Sequence, residues 1–283
     1  MTDIAPAIAR TVPDLRALVA SWRAEGKRVG LVPTMGALHA GHISLVEIAR
    51  RHADRIIVSI FVNPTQFAPT EDFSKYPRTF EADLAKLTGI GTDAVYAPTV
   101  EVMYPPDAAT TVSLKGPATA GLEDIARPFH FAGVATIVAK LFTQSAPDVA
   151  VFGEKDFQQL AVIRRMAADL DLPVEVIGAP TVREADGLAM SSRNVYLSAE
   201  NRAKAPELHR IMQAASSGIV AGEAPESTLA RARKAIAAAG FTPDYLELRD
   251  AADLGEPRIG RSRRLLAAAT LGTTRLLDNI AVD

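Results

Sequence analysis

The sequence predicts an α/β protein: a parallel sheet with helices on both faces, followed by a smaller α+β C-terminal domain. Two observations carry this prediction. Across residues 29–178, short and nearly uninterrupted apolar segments alternate with amphipathic helical segments, as expected for parallel strands covered on both faces. After Ser198 the composition changes, and Ala, Arg and Glu dominate two helical stretches before three strand-like segments. We therefore place a domain boundary near residues 185–197 and assign residues 1–187 and 188–283 to the two domains.

Length and composition limit the classes of function to consider. The chain has 283 residues, 48% apolar and 23% charged, enough for one large or two smaller domains. A formal net charge of -2 gives no general basic field, so we expect no nucleic-acid partner. The absence of cysteine excludes disulfides, thiolate metal sites and a cysteine nucleophile. Residues 1–10 lack a signal-peptide pattern and no segment is apolar enough to span a membrane, so we expect a cytoplasmic protein without a membrane partner.

The first predicted helix covers residues 12–26. Pro13 suits its first turn and Gly26 suits its C-terminal end. We interpret Trp22 as a packing residue rather than a ligand contact. The apolar face of this helix consists of Leu15, Leu18, Val19 and Trp22.

A strand, a small-residue turn and a helix make up the most informative stretch, residues 31–46. The strand is predicted from Val29, Leu31 and Val32, the turn is bracketed by Gly36 and Gly41, and the helical face consists of His42, Leu45, Val46 and Ala49. His39 and His42 are three residues apart and come close together if the first helical turn begins here. A helix N-terminus offers unpaired N–H groups that suit a phosphate chain, and two imidazoles add further donors.

The two histidines allow two interpretations. Because the neighbours of His42 on its helical face are apolar, it can be a core histidine without a ligand. The pair with Gly41 between them, directly after a strand and a turn, favours a nucleotide site, and Gly41 leaves room for a flat nucleobase. Four residues are a weak pattern alone, so this hypothesis depends on segments elsewhere in the chain.

A second strand, predicted over residues 55–62, ends at the polar residues 63–67. Ligands in open parallel sheets lie at the carboxyl ends of strands, so Asn63 and Gln66 are placed to hydrogen-bond a small molecule. An Asn-Pro turn with an exposed glutamine explains the same residues without a ligand. The pattern alone does not decide between the two.

The middle of the chain predicts mainly structural elements. A polar loop is expected at residues 70–76, a helix at 78–88, a short strand at 93–97, a small strand at 111–115, and a helix from about 133 to 144. His130 lies at the start of that last helix, where structural and functional roles are both open.

A second strand–helix junction repeats the pattern of the first. A buried strand at residues 149–152 is followed by residues 153–156 and a helix at 157–170. Lys155 can reach phosphate oxygens as a point charge, whereas Asp156 can cap the helix, hold a ribose hydroxyl or bind a metal. Gln159 lies one turn further and can face the same crevice. The alternative for Lys155 is a solvated surface lysine, but its place at a strand end favours function.

A loop with two serines and an arginine, residues 190–193, follows a strand at 173–178 and a turn at Asp186 and Gly187. Hydroxyls and a guanidinium suit a triphosphate whose charge grows as pyrophosphate leaves. A hinge between domains is the alternative, and the two roles are compatible. Beyond this loop, helices are expected near residues 202–220 and 226–239, and strands at 241–250, 263–271 and 273–282.

Four separated motifs resemble those of a known family. Residues 33–42, which contain His39-Ala-Gly-His42, resemble the HxGH nucleotide motif of adenylyl-transferring enzymes with a Rossmann-like fold. The resemblance narrows to the pantothenate synthetase (pantoate–β-alanine ligase) family through Phe61-Val-Asn-Pro-Thr-Gln-Phe67, Phe152-Gly-Glu-Lys-Asp-Phe-Gln-Gln159 and Met190-Ser-Ser-Arg-Asn194. The match covers essentially the whole chain in order and length, which is far more specific than any one motif.

The resemblance implies a two-step, ATP-dependent reaction. The carboxylate of pantoate attacks the α-phosphate of ATP, giving pantoyl adenylate and pyrophosphate, and the amine of β-alanine then releases AMP and forms pantothenate. Because the substrate carboxylate is the nucleophile, no serine or cysteine nucleophile is required, and catalysis depends on positioning and charge stabilisation. The resemblance also implies Mg²⁺, a homodimer, a Rossmann-like form of the sheet and a C-terminal domain that acts as a lid.

Carried over by position, the resemblance implies site residues along most of the chain. The expected catalytic residues are His42, His39, Lys155 and Arg193, and the expected ATP-binding residues are Met35, Gly36, Ala37, Leu38, His39, Ala40, Gly41, His42, Gly153, Glu154, Lys155, Asp156, Val182, Met190, Ser191, Ser192 and Arg193. Gln66 and Gln159 are expected to bind pantoate, and Gln66 also β-alanine. The magnesium ligands stay open, with Glu81 and Asp83 as candidates beside phosphates and water. No base for the β-alanine ammonium is obvious, and water or His130 can take its proton.

Two other classes of function remain open from the sequence. A nucleotidylyltransferase would attach AMP to a phosphorylated substrate and stop there. Such substrates usually require extra basic residues, whereas Asn63, Gln66 and Gln159 are neutral. The second class is a non-catalytic ATP-sensing module, in which Ser191, Ser192 and Arg193 could be lost without consequence.

Overall fold

The computed structural model describes residues 5–68 and 72–283. The loop expected at residues 70–76 and the segment of residues 1–10 therefore lie partly outside the described residues. The described chain forms two compact units. The N-terminal unit contains Met1–Gly153 and Val162–Ala179, and the C-terminal unit contains Glu154–Ala161 and Pro180–Asp283.

The N-terminal unit is organised around a parallel sheet. Its strands, within the described ranges, are β1 (Ala7–Ala9), β2 (Val29–Thr34), β3 (Arg55–Ile60), β4 (Ala94–Tyr96), β5 (Val149–Gly153) and β6 (Glu175–Ala179). Its helices are α1 (Val12–Ala24), α2 (Ala40–Ala49), α3 (Phe80–Leu87), α4 (Val100–Met103), α5 (Glu123–Ala126), α6 (His130–Ser145) and α7 (Phe157–Asp169), of which α7 begins in residues of the C-terminal unit. The strand order is β1-β4-β3-β2-β5-β6 with parallel pairings, which confirms the predicted α/β class.

The order of the strands reverses at the centre of this sheet. From β2 the chain adds β3 and β4 on one side, and it then returns to add β5 and β6 on the other. Gly30 pairs with Val149, and each strand continues four residues further, to Thr34 and Gly153. The carboxyl ends of β2 and β5 therefore lie side by side at a topological switch point, where open parallel sheets bind their ligands.

Both faces of the central strands are buried, as their apolar composition predicts. Val32 and Val58 pack in one cluster with the apolar face of α2. Their neighbours along the strands, Leu31 and Ile57, point to the opposite side and are 0% exposed. The sheet therefore forms the shielded core of the N-terminal unit, and its carboxyl edge is left to carry the polar loops.

The C-terminal unit is an α+β structure, as expected. Its strands in the described chain are β7 (Thr242–Asp250), β8 (Arg263–Leu271) and β9 (Thr274–Val282), antiparallel in the order β7-β8-β9, and its remaining helices are α8 (Ala199–Lys204), α9 (Glu207–Val220) and α10 (Pro225–Ala238). Apolar side chains from helices and sheet form a core of its own, in which Met212, Ile236 and Leu265 are 0% exposed. Among the residues that the structure describes, no helix has the length and apolar character needed to cross a membrane.

Some local predictions differ from the structure. The helix expected at residues 202–220 is divided into α8 and α9, because Pro206 between them has no backbone N–H to donate to the preceding turn. The strand expected at residues 111–115 is wrong, since the N–H of Val112 donates to Oγ1 of Thr136 on α6, at 2.9 Å. β1 was not predicted because three residues are too few for a periodic signal.

Candidate active site

The turn between β2 and α2 adopts an unusual backbone conformation. Gly36 has a φ of +80°, and Ala37 has a φ of +50°, in the left-handed region that alanine rarely occupies. The positive φ favours glycine at position 36, and a Cβ atom there would also make tight contacts, 3.1 Å from Oδ2 of Asp83 and 3.2 Å from Cγ2 of Ile60. Surrounding contacts must hold Ala37 in this conformation.

Asp83 on α3 supplies those contacts. Its Oδ2 accepts a hydrogen bond from the N–H of Ala37 at 2.9 Å, and its Oδ1 accepts one from the N–H of Leu38 at 2.8 Å. The hydroxyl of Thr79 donates to the same Oδ2 at 3.0 Å. Nζ of Lys86 donates to the carbonyl of Leu38 at 2.6 Å. Side chains of α3 therefore fix the turn by binding the backbone N–H groups of Ala37 and Leu38 and the carbonyl of Leu38.

This geometry argues against Asp83 as a magnesium ligand. Its side chain is 0% exposed and both oxygens accept hydrogen bonds from the protein, so metal binding would release the turn. Glu81 lies on the exposed side of α3 and remains a candidate magnesium ligand. In the described part of the chain, no group of three or more His, Asp or Glu side chains is arranged to hold a metal ion.

His39 and His42 cap the N-terminus of α2 reciprocally. Nδ1 of His39 accepts from the N–H of Gly41 at 3.1 Å, and Nδ1 of His42 accepts from the N–H of His39 at 3.2 Å. The two ring centroids are 4.1 Å apart. The prediction that the two rings come together is confirmed, and His42 is half-buried rather than a core residue.

The caps determine the tautomer of both imidazoles. A ring nitrogen that accepts a hydrogen bond carries no proton, so in the neutral rings of His39 and His42 the proton lies on Nε2. Each Nε2–H is then a hydrogen-bond donor at the positive end of a helix, where phosphate oxygens are stabilised. The same caps orient the rings before any ligand binds.

Gln66 lies in a 3-10 turn, Pro64–Gln66, which follows the end of β3 after three intervening residues. Its Nε2 lies 3.1 Å from Sδ of Met35, and its Oε1 accepts from Nδ2 of Asn63 at 3.0 Å. The structure therefore brings a residue expected to bind pantoate next to a residue expected to bind ATP. Gln66 is half-buried, unlike the exposed glutamine of the alternative interpretation.

Of the two interpretations left open for Asn63, the structure favours the turn over a contact with a ligand. It is 1% exposed, its Nδ2 also donates to the carbonyl of Gly133 at 3.2 Å, and its Oδ1 accepts from the hydroxyl of Tyr104 at 2.8 Å. Because both ends of its amide meet protein groups, Asn63 holds the turn that carries Gln66.

The residues at the start of α6 hold the backbone of Gln66. Its carbonyl lies 2.9 Å from Nδ1 of His130 and accepts from Nη2 of Arg127 at 3.3 Å. Because the carbonyl of Gln66 can only accept, Nδ1 of His130 carries the proton and donates to it. Because the guanidinium of Arg127 can only donate, Nε2 of His130 accepts from it at 3.3 Å. With both nitrogens engaged, His130 is not arranged as the base for an amine. A Cβ on Gly133 would lie 2.4 Å from the carbonyl oxygen of Thr65, so glycine permits this close packing.

In the C-terminal unit, Glu154, Lys155 and Asp156 form a 3-10 turn. Nδ2 of Asn279 on β9 donates to the carbonyl oxygens of Glu154 and Lys155, each at 2.8 Å. Nζ of Lys155 lies 3.9 Å from Oδ1 of Asp156, and the lysine side chain is 20% exposed. Lys155 is therefore mostly buried, unlike a solvated surface lysine.

Val182 and Met190 meet in a short hairpin. The N–H of Met190 donates to the carbonyl of Val182 at 3.0 Å, and Arg183 and Ala189 form an antiparallel bridge. Gly187, with a φ of +93°, lies in the connecting turn, as the Asp-Gly sequence predicts. The hairpin brings together ATP-binding candidates that are separated in sequence.

The serine-rich loop continues from this hairpin into a 3-10 turn, Ser192–Tyr196. The Oγ of Ser191 accepts from the N–H of Arg193 at 3.2 Å and caps the turn. Nδ2 of Asn194 donates to the carbonyl of Ala189 at 3.1 Å and so ties the loop back to the hairpin.

Asp278, the neighbour of Asn279 on β9, anchors the hairpin. Its carboxylate forms two hydrogen bonds with the guanidinium of Arg183, at 2.7 and 2.8 Å, and Nδ1 of His209 lies 3.2 Å from its Oδ2. Burial would raise the pKa of Asp278, but His209 and Arg183 hold that pKa below its usual value. Adjacent residues of β9 therefore hold both nucleotide-binding candidates of this unit, the hairpin and the Glu154–Asp156 turn.

The candidate site residues thus fall into two sets. The N-terminal unit carries residues 35–42, Gln66 and Gly153, and the C-terminal unit carries residues 154–156, 182 and 190–193, with Gln159 half-buried on α7. Sequence reasoning considered Asp83 only as a possible metal ligand, and it did not single out Asp278 or Asn279, which hold the second set. Only Asp83 has a local signal, since it follows Thr79 in the first turn of a helix.

Comparisons with known sequences identify what the chain is similar to. The sequence model of the family described as pantoate-beta-alanine ligase matches residues 7–281. Pantothenate synthetase of Rhodopseudomonas palustris is 58% identical over 280 residues, which cover 98% of this chain and 99% of that protein. Pantothenate synthetase 2 of Bradyrhizobium diazoefficiens is 59% identical over 279 residues, with the same shares of 98% and 99%.

Solved structures agree with the sequence comparisons. Pantothenate synthetase from Thermus thermophilus superposes with a TM-score of 0.91 at 47% identity, covering 98% of this chain and 99% of that chain. A pantoate-beta-alanine ligase from Francisella tularensis, complexed with beta-gamma ATP and beta-alanine, gives a TM-score of 0.83 at 31% identity, covering 98% and 97%.

Proposed function

The chain belongs to the pantoate–β-alanine ligase family, and we infer that it condenses (R)-pantoate with β-alanine at the expense of ATP. The products are pantothenate, AMP and pyrophosphate, and the reaction passes through a pantoyl adenylate. The observation that carries this conclusion is the pair of imidazoles that cap α2 at the carboxyl end of β2, in a chain that matches the family over residues 7–281. Such an arrangement supplies preorganised donors to phosphate oxygens.

We propose that the ATP-binding residues come from both sets. In the N-terminal unit they are Met35, Gly36, Ala37, Leu38, His39, Ala40, Gly41, His42 and Gly153, and in the C-terminal unit they are Glu154, Lys155, Asp156, Val182, Met190, Ser191, Ser192 and Arg193. Support for the first set is the N-terminus of α2 with its two Nε2–H donors. Support for the second is one ammonium and one guanidinium, which suit the charge of a triphosphate.

In the first step, a carboxylate oxygen of pantoate attacks the α-phosphorus of ATP. The bond between this phosphorus and the oxygen that bridges to the β-phosphate breaks, and pyrophosphate leaves with the electron pair. Pantoate is already ionised at neutral pH, so this step needs no base. We propose that Nε2–H of His42, assisted by His39, Lys155 and Arg193, stabilises the charge that grows on the phosphate oxygens.

Neutral amides are proposed to hold the acid. Gln66 and Gln159 can hydrogen-bond the hydroxyl and carboxylate groups of pantoate without adding a charge that would compete for the nucleophile. Support for Gln66 is its rigid environment, since Asn63 fixes its side chain and His130 and Arg127 contact its carbonyl. We propose that Gln66 also lies against β-alanine.

In the second step, the amine of β-alanine attacks the carbonyl carbon of the adenylate. The bond from that carbon to the phosphate oxygen breaks, and AMP leaves. The ammonium form of β-alanine must first lose a proton. Because both ring nitrogens of His130 are engaged by Gln66 and Arg127, we propose that water takes this proton.

We propose that Mg²⁺ arrives with ATP, held by phosphate oxygens and water. The donor set of the chain suits this arrangement better than a resident site, because Asp83 is buried in hydrogen bonds to the turn and Glu81 is a single exposed carboxylate. When bound, Mg²⁺ neutralises part of the charge of the triphosphate.

Three broader proposals concern the organisation of the chain, of which the lid and the homodimer rest on the family resemblance. We propose a functional boundary between residues 1–187 and 188–283, with the second part acting as a lid, and ATP should then slow proteolysis near the boundary. We propose a homodimer, which sedimentation equilibrium tests. We propose a cytoplasmic location, where ATP is available to the enzyme.

The function is tested by incubating the purified protein with ATP, Mg²⁺, pantoate and β-alanine and identifying the products by mass spectrometry. We expect pantothenate and AMP in equal amounts. A matched mixture without β-alanine should accumulate pantoyl adenylate on the enzyme. Binding of ATP without either product would point to a nucleotide sensor, and transfer of AMP to a phosphorylated acceptor would point to a nucleotidylyltransferase.

A further inference from the structure

We propose that Asn279 is a positioning residue for Lys155, so that the last strand of the chain directs the ammonium group toward ATP. The inference rests on the proposed role of Lys155 in ATP binding. It concerns a residue on β9 that lies more than a hundred positions from the lysine in sequence, at a separation of 124.

The amide of Asn279 is fully used in holding the turn. Its Nδ2 donates to the carbonyl oxygens of Glu154 and Lys155, each at 2.8 Å, and its Oδ1 accepts from Nε of Arg264 at 2.7 Å. Two carbonyls can only accept and a guanidinium can only donate, so these partners fix which end of the amide faces the turn. Asn279 is 3% exposed, so breaking these bonds would leave buried polar groups without partners.

Arg264 extends the same clamp to Glu154 and Phe157, which lie on either side of Lys155 in the sequence. Its Nη2 lies 2.8 Å from Oε2 of Glu154, and its guanidinium carbon lies 4.3 Å from the centre of the Phe157 ring. The side chain of Arg264 is 14% exposed, so these contacts are only weakly screened by water. β8 and β9 therefore hold the residue before Lys155 and the ring two residues after it.

The ammonium group of Lys155 is held much less tightly than the backbone of the same residue. Its carbonyl is fixed by Asn279 at 2.8 Å, whereas its Nζ has a 3.9 Å contact with Asp156. A weak ion pair of this length leaves the ammonium able to move onto a stronger anion, while the fixed backbone sets its direction. Asn279 therefore acts as a positioning residue, because it fixes the backbone of Lys155 and leaves the ammonium group able to move.

Asn279→Asp replaces the amide Nδ2 with a carboxylate oxygen and keeps the size and shape of the side chain. The new oxygen faces two carbonyl oxygens, so two attractive contacts become repulsive and the turn must move. A misplacement of the order of an ångström can cost up to about a hundredfold in a positioned interaction, and we expect about a tenfold loss here. Leu276→Ala is the matched control, since Leu276 is a 5% exposed residue of the same strand that packs in the apolar core of the unit.

The experiment measures how well ATP protects Lys155 from acetic anhydride. The full-length wild-type enzyme, Asn279→Asp and Leu276→Ala are acylated over a range of ATP concentrations, and the modification of Lys155 is quantified by peptide mass spectrometry. We expect half-protection in Asn279→Asp to require about tenfold more ATP than in wild type. Leu276→Ala should lose thermal stability and keep the wild-type protection curve.

The possible results separate the inference from the function. Equal protection in wild type and Asn279→Asp, or an equal weakening in Leu276→Ala, overturns the positioning role. If the wild-type enzyme makes pantothenate and ATP does not protect Lys155, the lysine does not lie in the ATP site. The positioning role of Asn279 is then rejected, and the proposed function is retained. Absence of pantothenate in wild type rejects the function itself. Should Asn279→Asp fail to fold, Arg264→Lys, which removes the planar donor to Asn279, is tested by the same curve with the same expectation.

Discussion

Oδ1 of Asp83 accepts a 2.8 Å hydrogen bond from the N–H of Leu38, across 45 residues of sequence. The second oxygen of the same carboxylate bonds the N–H of Ala37 and holds that residue at a φ of +50°. Both bonds are made by a buried charged acceptor, which is the stronger kind of hydrogen bond. The turn that carries the two histidines therefore depends on α3, a helix without any ATP-binding candidate.

Replacing Asp83 by Asn should loosen this turn. An amide presents N–H₂ where one of two backbone N–H groups needs an acceptor, so we expect a loss of about 1–3 kcal/mol in the free energy of unfolding. Adenylation, followed as pantoate-dependent exchange of labelled pyrophosphate into ATP, should fall as well. Glu81→Gln removes the same charge from the exposed side of the same helix and should leave stability unchanged. Full stability of Asp83→Asn would contradict this account of the turn.

Replacing His42 separates its two roles. In His42→Asn, Oδ1 can take the place of Nδ1 as acceptor for the N–H of His39, while the Nε2–H donor is lost. We expect His42→Asn to fold with near-normal stability and to lose about 10²-fold in pyrophosphate exchange, the scale for one preorganised donor. His42→Ala should lose both rate and cap, the latter worth about 1 kcal/mol. Normal exchange in His42→Asn would show that the ring serves only as a cap.

Lys155→Ala should impair adenylation without unfolding the protein. The lysine makes one weak contact to Asp156, so we expect the melting temperature to change little and the exchange rate to fall at least tenfold, with a higher KM for ATP. Lys204→Ala, which removes an exposed lysine paired with Glu200, is the control for charge alone. A large loss of stability with unchanged exchange would identify Lys155 as a structural residue.

Elements with a local pattern could be predicted from the sequence, and contacts between distant residues could not. β8 was predicted with its observed bounds because its apolar run and flanking arginines lie within nine residues. The proximity of the His39 and His42 rings follows from their spacing, whereas their role as caps of α2 is seen only in the structure. By contrast, Asn279 reads as an ordinary polar residue in a strand, since its partners lie 124 and 125 positions away. The burial of Asn63 and Asp83 also depends on tertiary packing, so the sequence leaves a ligand contact open for Asn63 and a magnesium site open for Asp83.

The stability of the C-terminal unit should depend on pH through Asp278. Its folded pKa lies below the ordinary value of 3.8, so ionised Asp278 stabilises the fold above that value, and the stabilisation is lost as pH falls through the lowered pKa. At neutral pH, Asp278→Asn leaves Arg183 without its partner and should cost about 3 kcal/mol. Urea titrations should show the gap between wild type and variant narrowing as pH falls from about 4 toward the lowered pKa of Asp278. A gap that stays constant over this range would exclude Asp278 as the group responsible.

The transfer of oxygen from the acid to AMP tests the central claim most directly. Pantoate labelled with ¹⁸O in its carboxylate is incubated with ATP, Mg²⁺ and β-alanine, and the products are analysed by mass spectrometry. If the carboxylate attacks the α-phosphorus, one labelled oxygen stays on the phosphate when the amine displaces AMP. We therefore predict AMP with one ¹⁸O atom and unlabelled pyrophosphate. Unlabelled AMP, or label in inorganic phosphate beside ADP, would contradict an adenylate formed at this site.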